Sequence, residues 1–129
     1  MGSSESTKLR EELLFVYGSL KRGFNLHHLL AGAEFVQDAL TLPRYRLFDC
    51  GEYPALVPSP DHGYSIAGEV YRVTLEQLRI LDEAEGVEEG LYTRSQVQLL
   101  GRLSERYVHG YEYLKSIHGL KECRGRWPS

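Results

Sequence analysis

A glutamate on the apolar face of a predicted helix is the first residue of this sequence whose position suggests chemistry. Leu75, Leu78 and Leu81 form one stripe, because each helical residue advances by about 100°, and Glu85 continues that stripe. Partial burial and the negative end of the helix dipole would both raise the pKa of this carboxyl group. A glutamate with such a pKa is suited to general acid/base catalysis near neutral pH.

The same residues allow a simpler interpretation of the helix end. If the helix frays there, Glu85 meets Arg79, Arg94 or water and stays an ordinary ionised carboxylate. The two interpretations remain open on the helix alone. The neighbouring Asp82 and Glu83 are interpreted as solvated charges.

A small-residue turn after the first apolar run is a candidate anion-binding site. Residues 18–23 match the first half of a phosphate loop, but Phe24 and Asn25 stand where lysine and Ser/Thr are required, which excludes a nucleoside triphosphatase. Backbone N–H groups in such a turn can bind a carboxylate or an oxyanion, and Ser19 could add a hydroxyl donor. On these residues alone, an ordinary strand-to-helix turn with Gly18 for sterics and Ser19 as an N-cap is the simpler interpretation.

Other kinds of site find less support in the residue types and their spacing. The five histidines and two cysteines show no paired metal-ligand spacing, so no metal site is expected. Cys50 is interpreted as buried filler at a strand end, and Lys21 and Arg22 as a solvated edge. Tyr53 and Tyr92 stand out among nine tyrosines, because they lie at loop–strand junctions where aromatic rings often line pockets.

Composition limits the partner and the compartment. The chain has 129 residues, of which 42% are hydrophobic and 26% charged, as expected for one globular domain. A net charge of −3 argues against nucleic acid and against anionic membrane surfaces, so a small partner is expected. Two cysteines are too few for a disulfide framework, and the first residues lack the apolar core of a signal peptide. We therefore expect a cytoplasmic protein.

Apolar runs and turn residues predict about six strands and two helices. The predicted strands cover residues 13–17, 34–42, 45–49, 65–73, 92–100 and 106–114, with a Gly/Pro loop over 51–60. A short amphipathic helix is predicted over residues 26–30. Thr74 is expected to cap the second helix, with Gln77 completing a capping box and Gly86 ending it. These elements predict an α+β domain over residues 12–118, between a disordered tail at 1–11 and a C-terminal tail at 119–129.

Six short motifs occur in a fixed order along this domain. They are Tyr17-Gly18-Ser19-Leu20-Lys21-Arg22-Gly23, His27-His28-Leu29-Leu30, Tyr53-Pro54-Ala55-Leu56-Val57, Gly68-Glu69-Val70-Tyr71, Leu81-Asp82-Glu83-Ala84-Glu85 and Leu91-Tyr92-x-Arg94. Together they resemble the γ-glutamylcyclotransferase-like, or AIG2-like, family, and within it the γ-glutamylamine cyclotransferase branch. Leu26 and Ala84 depart from the family pattern: Leu26 replaces a frequent asparagine, and Ala84 replaces a frequent aromatic residue near Glu85.

The resemblance implies a fold, a reaction and a set of site residues. The fold would be a single domain with a mixed β-barrel of about six strands and two main flanking helices. The reaction would convert a γ-glutamyl amine or amide to 5-oxoproline and a free amine, without metal or cofactor, with Glu85 as general acid/base. The implied substrate-binding residues are Tyr17, Gly18, Ser19, Leu20, Tyr53, Pro54 and Tyr92. The expected partner is a small γ-glutamyl molecule, and the expected state is a monomer.

Two other function classes stay open beside the enzyme. One is a non-catalytic module of the same fold that binds a small carboxylate without turnover, since a fold alone does not fix a function. The other is an interaction protein that uses a tyrosine-rich surface. The presence of Glu85 favours the enzyme over the binding module.

Overall fold

The computed structural model describes residues 11–128, which form two β-sheets and one α-helix. The strands are β1 (Glu11–Val16), β2 (Glu34–Leu40), β3 (Tyr45–Asp49), β4 (Pro54–Pro58), β5 (Ala67–Thr74), β6 (Tyr92–Gln96), β7 (Val108–Tyr113) and β8 (Lys121–Glu122). The helix α1 (Leu75–Ala84) connects β5 to β6. Residues 1–10 of the expected N-terminal tail lie outside the described residues, whereas Glu11, its last residue, begins β1.

Strand β1 is central and buried on both faces, as its continuous apolar run predicts. It pairs antiparallel with β5 and parallel with β7. Side chains alternate along a strand, so Leu13 and Phe15 pack into one hydrophobic cluster and Leu14 and Val16 into a second, which includes the helix. The two clusters therefore hold β1 from both faces up to Val16, and the turn that begins at Tyr17 starts from a fixed position.

The sheets do not close into the expected barrel. One sheet has the order β2-β5-β1-β7-β6 and the other β4-β3-β8, so β2 and β6 remain edge strands. An isolated bridge joins Thr41, just after β2, to Leu99, three residues after the end of β6, and within residues 11–128 no ladder connects the two edge strands. The prediction of a barrel is therefore wrong, and that of an α+β domain with mixed pairing is confirmed.

Residues 11–128 form eight strands, two more than the six that were predicted. The expected loop over residues 51–60 contains β4, which forms an antiparallel hairpin with β3. Its prolines, Pro54 and Pro58, stand at the ends of an edge strand, where a missing N–H does not interrupt the sheet. The second additional strand, β8, pairs with the other side of β3.

Only one of the two predicted helices is an α-helix. His27–Leu30 forms a 3-10 helix, with bonds from Leu29 N to Leu26 O and from Ala31 N to His28 O. Leucines three apart fit either helix type, and so short a segment does not nucleate an α-helix readily. The prediction of a second main flanking helix is therefore wrong.

Helix α1 begins and ends where its capping residues predict. The Thr74 hydroxyl accepts the Gln77 N–H, and the Gln77 side chain accepts the Thr74 N–H, which confirms the capping box. Glu85 is the C-cap, and Gly86 follows with a φ of 68°. Within residues 11–128 no helix is long and apolar enough to cross a membrane.

The buried face of α1 is narrower than the predicted stripe. Leu78 and Leu81 are buried in the cluster that includes side chains of β1 and β5, whereas Leu75 is 42% exposed and Ile80 48% exposed. Leu75 is the first helical residue and lies beyond the packed surface. The face that carries Leu81 leads directly to Glu85 at the helix end.

Candidate active site

A cavity of about 520 Å³ opens at the end of β1. Its walls come from the turn after β1, the loop before β4, the end of α1 and the starts of β6 and the 3-10 segment. The lining residues are Phe15, Val16, Tyr17, Gly18, Ser19, Leu20, Asn25, Leu26, Cys50, Glu52, Tyr53, Pro54, Ala84, Glu85, Leu91, Tyr92 and Tyr111. This volume suits a small organic ligand.

All eight residues that the sequence analysis singled out line this one cavity. They are Tyr17, Gly18, Ser19, Leu20, Tyr53, Pro54, Glu85 and Tyr92. Leu26 and Ala84, the two departures from the family pattern, also line this cavity, as does Asn25. The structure therefore brings the predicted residues together, from four separate parts of the chain.

The turn after β1 presents three backbone donors at the cavity. The Lys21 N–H donates to Gly18 O (2.9 Å) and the Leu26 N–H donates to Ser19 O (3.0 Å), which fixes the turn. In residues 11–128, the N–H groups of Gly18, Ser19 and Leu20 have no hydrogen-bond acceptor. Backbone donors are normally paired, so three consecutive ones at a cavity form a ready site for an anion.

Ser19 does not cap a helix. Its hydroxyl donates to Glu52 O (3.3 Å), and the 3-10 helix has Leu26 as its N-cap without a side-chain bond. The N-cap interpretation is therefore wrong. The hydroxyl instead ties the turn to the loop that precedes β4.

Gly18 is required by a close approach rather than by an unusual backbone angle. Its φ is not positive, whereas Gly23, which ends the turn, has a φ of 87°. A Cβ atom at position 18 would lie 2.5 Å from two ring carbons of Pro54. The turn and β4 can thus approach each other only because residue 18 has no side chain.

The carboxyl group of Glu85 faces the cavity without a hydrogen-bonding partner in residues 11–128. The residue is partly buried, and its N–H donates to Leu81 O (2.8 Å). No hydrogen bond or ion pair within those residues involves its side chain. Burial without a compensating charge raises the pKa of the Glu85 carboxyl to about 7.

Arg94 does not neutralise Glu85, because it is committed elsewhere. Its guanidinium donates to both oxygens of Asp82, at 2.8 and 3.1 Å, and lies 2.9 Å from His109 Nδ1. The Tyr111 hydroxyl donates to the same carboxylate at 2.7 Å. The alternative in which Glu85 meets Arg94 is thus wrong, and so is the interpretation of Asp82 as a solvated charge.

The ion pair between Asp82 and Arg94 was not predicted from the sequence, although both residues lie in recognised motifs. Asp82 and Arg94 belong to two of the six motifs, yet they are separated by a helix end and a loop. Their contact fixes the last turn of α1 against β6. Tyr111, which joins them from β7, was not recognised as a site residue.

Tyr17 and Tyr92 contribute aromatic rings to the cavity rather than free hydroxyl donors. The Tyr17 hydroxyl donates to Tyr111 O (2.7 Å), and the Tyr92 hydroxyl donates to Pro54 O. Burial and the nearby Glu85 raise the pKa of both phenols, so they stay neutral. Tyr53 and Tyr92 pack edge to face, with their ring centroids 6.2 Å apart.

Lys21 and Cys50, for which no specific role was predicted, lie in unexpected surroundings. Lys21 is only 7% exposed, and its ammonium donates to Trp127 O at 2.7 Å, so it is not a solvated edge. Cys50 lines the cavity, but burial raises the pKa of its thiol, which disfavours the nucleophilic thiolate. In the described part of the chain, no three His, Cys, Asp or Glu side chains are grouped as metal ligands.

A family comparison covers nearly the whole described chain. The model of the family described as "Gamma-glutamyl cyclotransferase, AIG2-like" matches residues 14–128. A gamma-glutamylaminecyclotransferase of Homo sapiens is 41% identical over 97 residues, which is 68% of this chain and 63% of that protein. A putative gamma-glutamylcyclotransferase of Vibrio cholerae is 33% identical over 120 residues, 91% of this chain and 96% of that protein.

Several curated relatives are longer than this chain, which spans about 60% of their length. A putative gamma-glutamylcyclotransferase of Arabidopsis thaliana is 39% identical over 107 residues, and this chain spans only 57% of its length. The crystal structure of an AIG2-like protein from Mus musculus matches with a TM-score of 0.66 and 31% identity, over 83% of this chain and 78% of that one.

We expect Gly18→Ala to destabilise the protein by displacing β4. The added Cβ would overlap the Pro54 ring, and overpacking of this kind costs about 1–3 kcal/mol of unfolding free energy. Urea denaturation measures this loss. Pro54→Ala removes the two ring carbons, so Gly18→Ala should cost much less in that background. An equal cost in both backgrounds would contradict the steric account.

We expect Glu85→Gln to stabilise the protein at pH 8 but not at pH 4. The pKa of Glu85 is raised in the folded state, so the stability gained from the neutral carboxyl is complete below the unfolded pKa of 4.5 and is lost as pH rises through about 7. Glutamine has no titrating proton and undergoes no such loss, so the difference in unfolding free energy between the variant and the wild type at pH 8 should be on the order of 3 kcal/mol. Urea denaturation at both pH values measures it. A difference independent of pH, or one matched by the exposed Glu83→Gln, would contradict the account.

Proposed function

Because the chain belongs to the γ-glutamyl cyclotransferase, AIG2-like family, we propose that it converts a γ-glutamyl amine or amide into 5-oxoproline and a free amine. The observation that carries the proposal is the Glu85 carboxyl, with a pKa of about 7, in the same cavity as three backbone donors, none of these groups having a partner within residues 11–128. The Glu85 carboxyl can transfer protons, and the backbone N–H groups of residues 18–20 can bind an anionic group of the substrate.

The proposed reaction is an intramolecular transfer of an acyl group. The α-nitrogen of the glutamyl group attacks its own γ-carbonyl carbon, which forms the ring C–N bond and breaks the bond to the leaving nitrogen. The α-ammonium loses two protons overall, and the leaving amine gains two. No water, oxidant or reductant is consumed.

Glu85 is assigned the proton transfers. As a carboxylate it accepts a proton from the attacking nitrogen, and as an acid it returns a proton to the departing nitrogen. A group with a pKa near the working pH is efficient in both directions. The absence of an ion pair at Glu85 within residues 11–128 supports this role, because a nearby cation would lower the pKa and weaken the acid.

The turn of Gly18, Ser19 and Leu20 is assigned the glutamyl end of the substrate. Its three N–H groups can bind the α-carboxylate or polarise the γ-carbonyl as negative charge develops on its oxygen. The buried rings of Tyr17 and Tyr92 restrict the space beside it. A substrate held folded in this way closes its ring more readily than a free one.

The remaining parts of the proposal concern cofactors and setting. Proton transfer by Glu85 and hydrogen bonding by the turn require no metal ion or organic cofactor, and we propose a metal-free reaction. The free thiols of Cys50 and Cys123 support a reducing cytoplasmic setting. We propose that the chain acts as a monomer, since all the residues assigned to the reaction come from one copy.

Replacing Glu85 by glutamine is the test of this function. The amide keeps the volume of the side chain but cannot carry the proton, so release of 5-oxoproline from a panel of γ-glutamyl amines and peptides should fall roughly 100- to 10,000-fold. Calorimetric titration with 5-oxoproline checks that the variant still binds product.

Glu83→Gln provides the matched control, because Glu83 is exposed, two residues away and outside the cavity lining. It should retain wild-type turnover. The proposal is wrong if Glu85→Gln keeps wild-type turnover of every substrate that the protein accepts. If the wild-type protein binds 5-oxoproline but releases none from the whole panel, the chain is the non-catalytic carboxylate-binding module.

A further inference from the structure

Trp127 lies between the two segments that form one side of the cavity. It is 6% exposed and packs against Phe24, with the ring centroids 5.5 Å apart. Its ring edge also approaches Gly18, where a Cβ would lie 3.8 Å from Trp127 Cε3. Trp127 is not among the cavity-lining residues, so it can affect a bound ligand only through its neighbours.

Two polar bonds attach Trp127 to different walls of the cavity. Its carbonyl accepts the Lys21 ammonium at 2.7 Å, within the turn that begins at Gly18. Its indole N–H donates to Asp49 Oδ1 at 3.0 Å, at the start of the loop that carries Tyr53. One residue therefore holds both the turn and the loop.

The bond to Asp49 continues into the loop itself. The same oxygen, Asp49 Oδ1, accepts the Gly51 N–H at 2.8 Å. These two donors lower the pKa of the Asp49 carboxyl, with the indole N–H as the larger cause. The carboxylate thus links Trp127 directly to the backbone that leads to Tyr53 and Pro54.

The bond to Lys21 is costly to break. Lys21 is buried, and desolvation lowers the pKa of its ammonium. Without the carbonyl of Trp127, the ammonium would lose a short hydrogen bond in a place with little access to water. The burial of Lys21 therefore favours the conformation in which Trp127 is docked.

We propose that Trp127 is a positioning residue that sets the spacing between the turn at residues 18–20 and the loop at residues 49–54. This inference rests on the proposed function, because that spacing determines how well the cavity binds the glutamyl group. Glu85 lies on the α1 side of the cavity, where Asp82 and Arg94 fix it independently. Loss of the Trp127 bonds should therefore weaken substrate binding and leave proton transfer intact.

Trp127→Phe tests the indole bond, since it keeps an aromatic ring and removes the N–H donor. We expect KM for γ-glutamyl substrates and Kd for 5-oxoproline to rise about 10-fold, the equivalent of one lost hydrogen bond of about 1.4 kcal/mol. The kcat value and the pH at which it changes should stay as in the wild type. Both constants are measured on the folded fraction.

Asp49 allows the same bond to be tested from its other side. Asp49→Ala removes the acceptor and should reproduce the effect of Trp127→Phe. Asp49→Asn retains one side-chain oxygen, which can accept both N–H groups, and should restore wild-type KM. Tyr107→Phe, at an exposed aromatic residue outside the cavity lining, serves as the control and should change nothing.

Hydrogen exchange distinguishes failure of this inference from failure of the proposed function. In Trp127→Phe, the hydrogen-bonded amides of Lys21 and Phe24 in the turn and of Cys50 and Gly51 in the loop should exchange faster, while those of β1 remain protected. Unchanged exchange in both segments, or a fall in kcat at constant KM, would overturn the positioning role. Absence of turnover in the wild-type protein would count against the proposed function alone, since the exchange result does not depend on activity.

Discussion

The site depends on a carboxyl group that is partly buried without a hydrogen-bonding partner in residues 11–128. Glu85 occupies the C-cap of α1, directly after the last turn that packs on the sheet. Its desolvation disfavours the ionised form, which raises its pKa to about 7. Such an arrangement is unfavourable for folding at neutral pH. Its persistence requires that neighbouring interactions fix the helix end strongly enough to hold it there.

Those neighbouring interactions also keep positive charge away from Glu85. Asp82 lies three residues earlier on α1 and binds the Arg94 guanidinium through both of its oxygens, with the Tyr111 hydroxyl as a third donor. The helix end is therefore held against β6 and β7 by a neighbour of Glu85 rather than by Glu85 itself. Strand β1, buried on both faces, supports this side of the cavity and the turn opposite it. The acid and the backbone donors are thus placed by separate interactions on a common strand.

Features that depend on adjacent residues were predicted correctly from the sequence. Features that depend on contacts between distant residues were not. The apolar run of β1 and the capping box of α1 depend on adjacent residues, and both were predicted correctly. The barrel was wrong, because closure depends on whether distant edge strands meet, and β2 and β6 do not pair. Lys21 was misread for a similar reason, since its buried partner lies 106 residues away. The predicted cavity residues, in contrast, could be identified because their motifs combine in one pattern.

The most direct test of the role of Glu85 is the pH dependence of kcat/KM for release of 5-oxoproline between pH 3.5 and pH 8.5 at constant ionic strength. In the proposed reaction the free protein must carry an ionised Glu85 to accept the first proton, so log kcat/KM should rise by about one per pH unit at low pH and level off above about pH 7, the pKa of this carboxyl. A profile that is flat over this range, or that levels off near 4.5 as for an ordinary glutamate, would contradict the central claim.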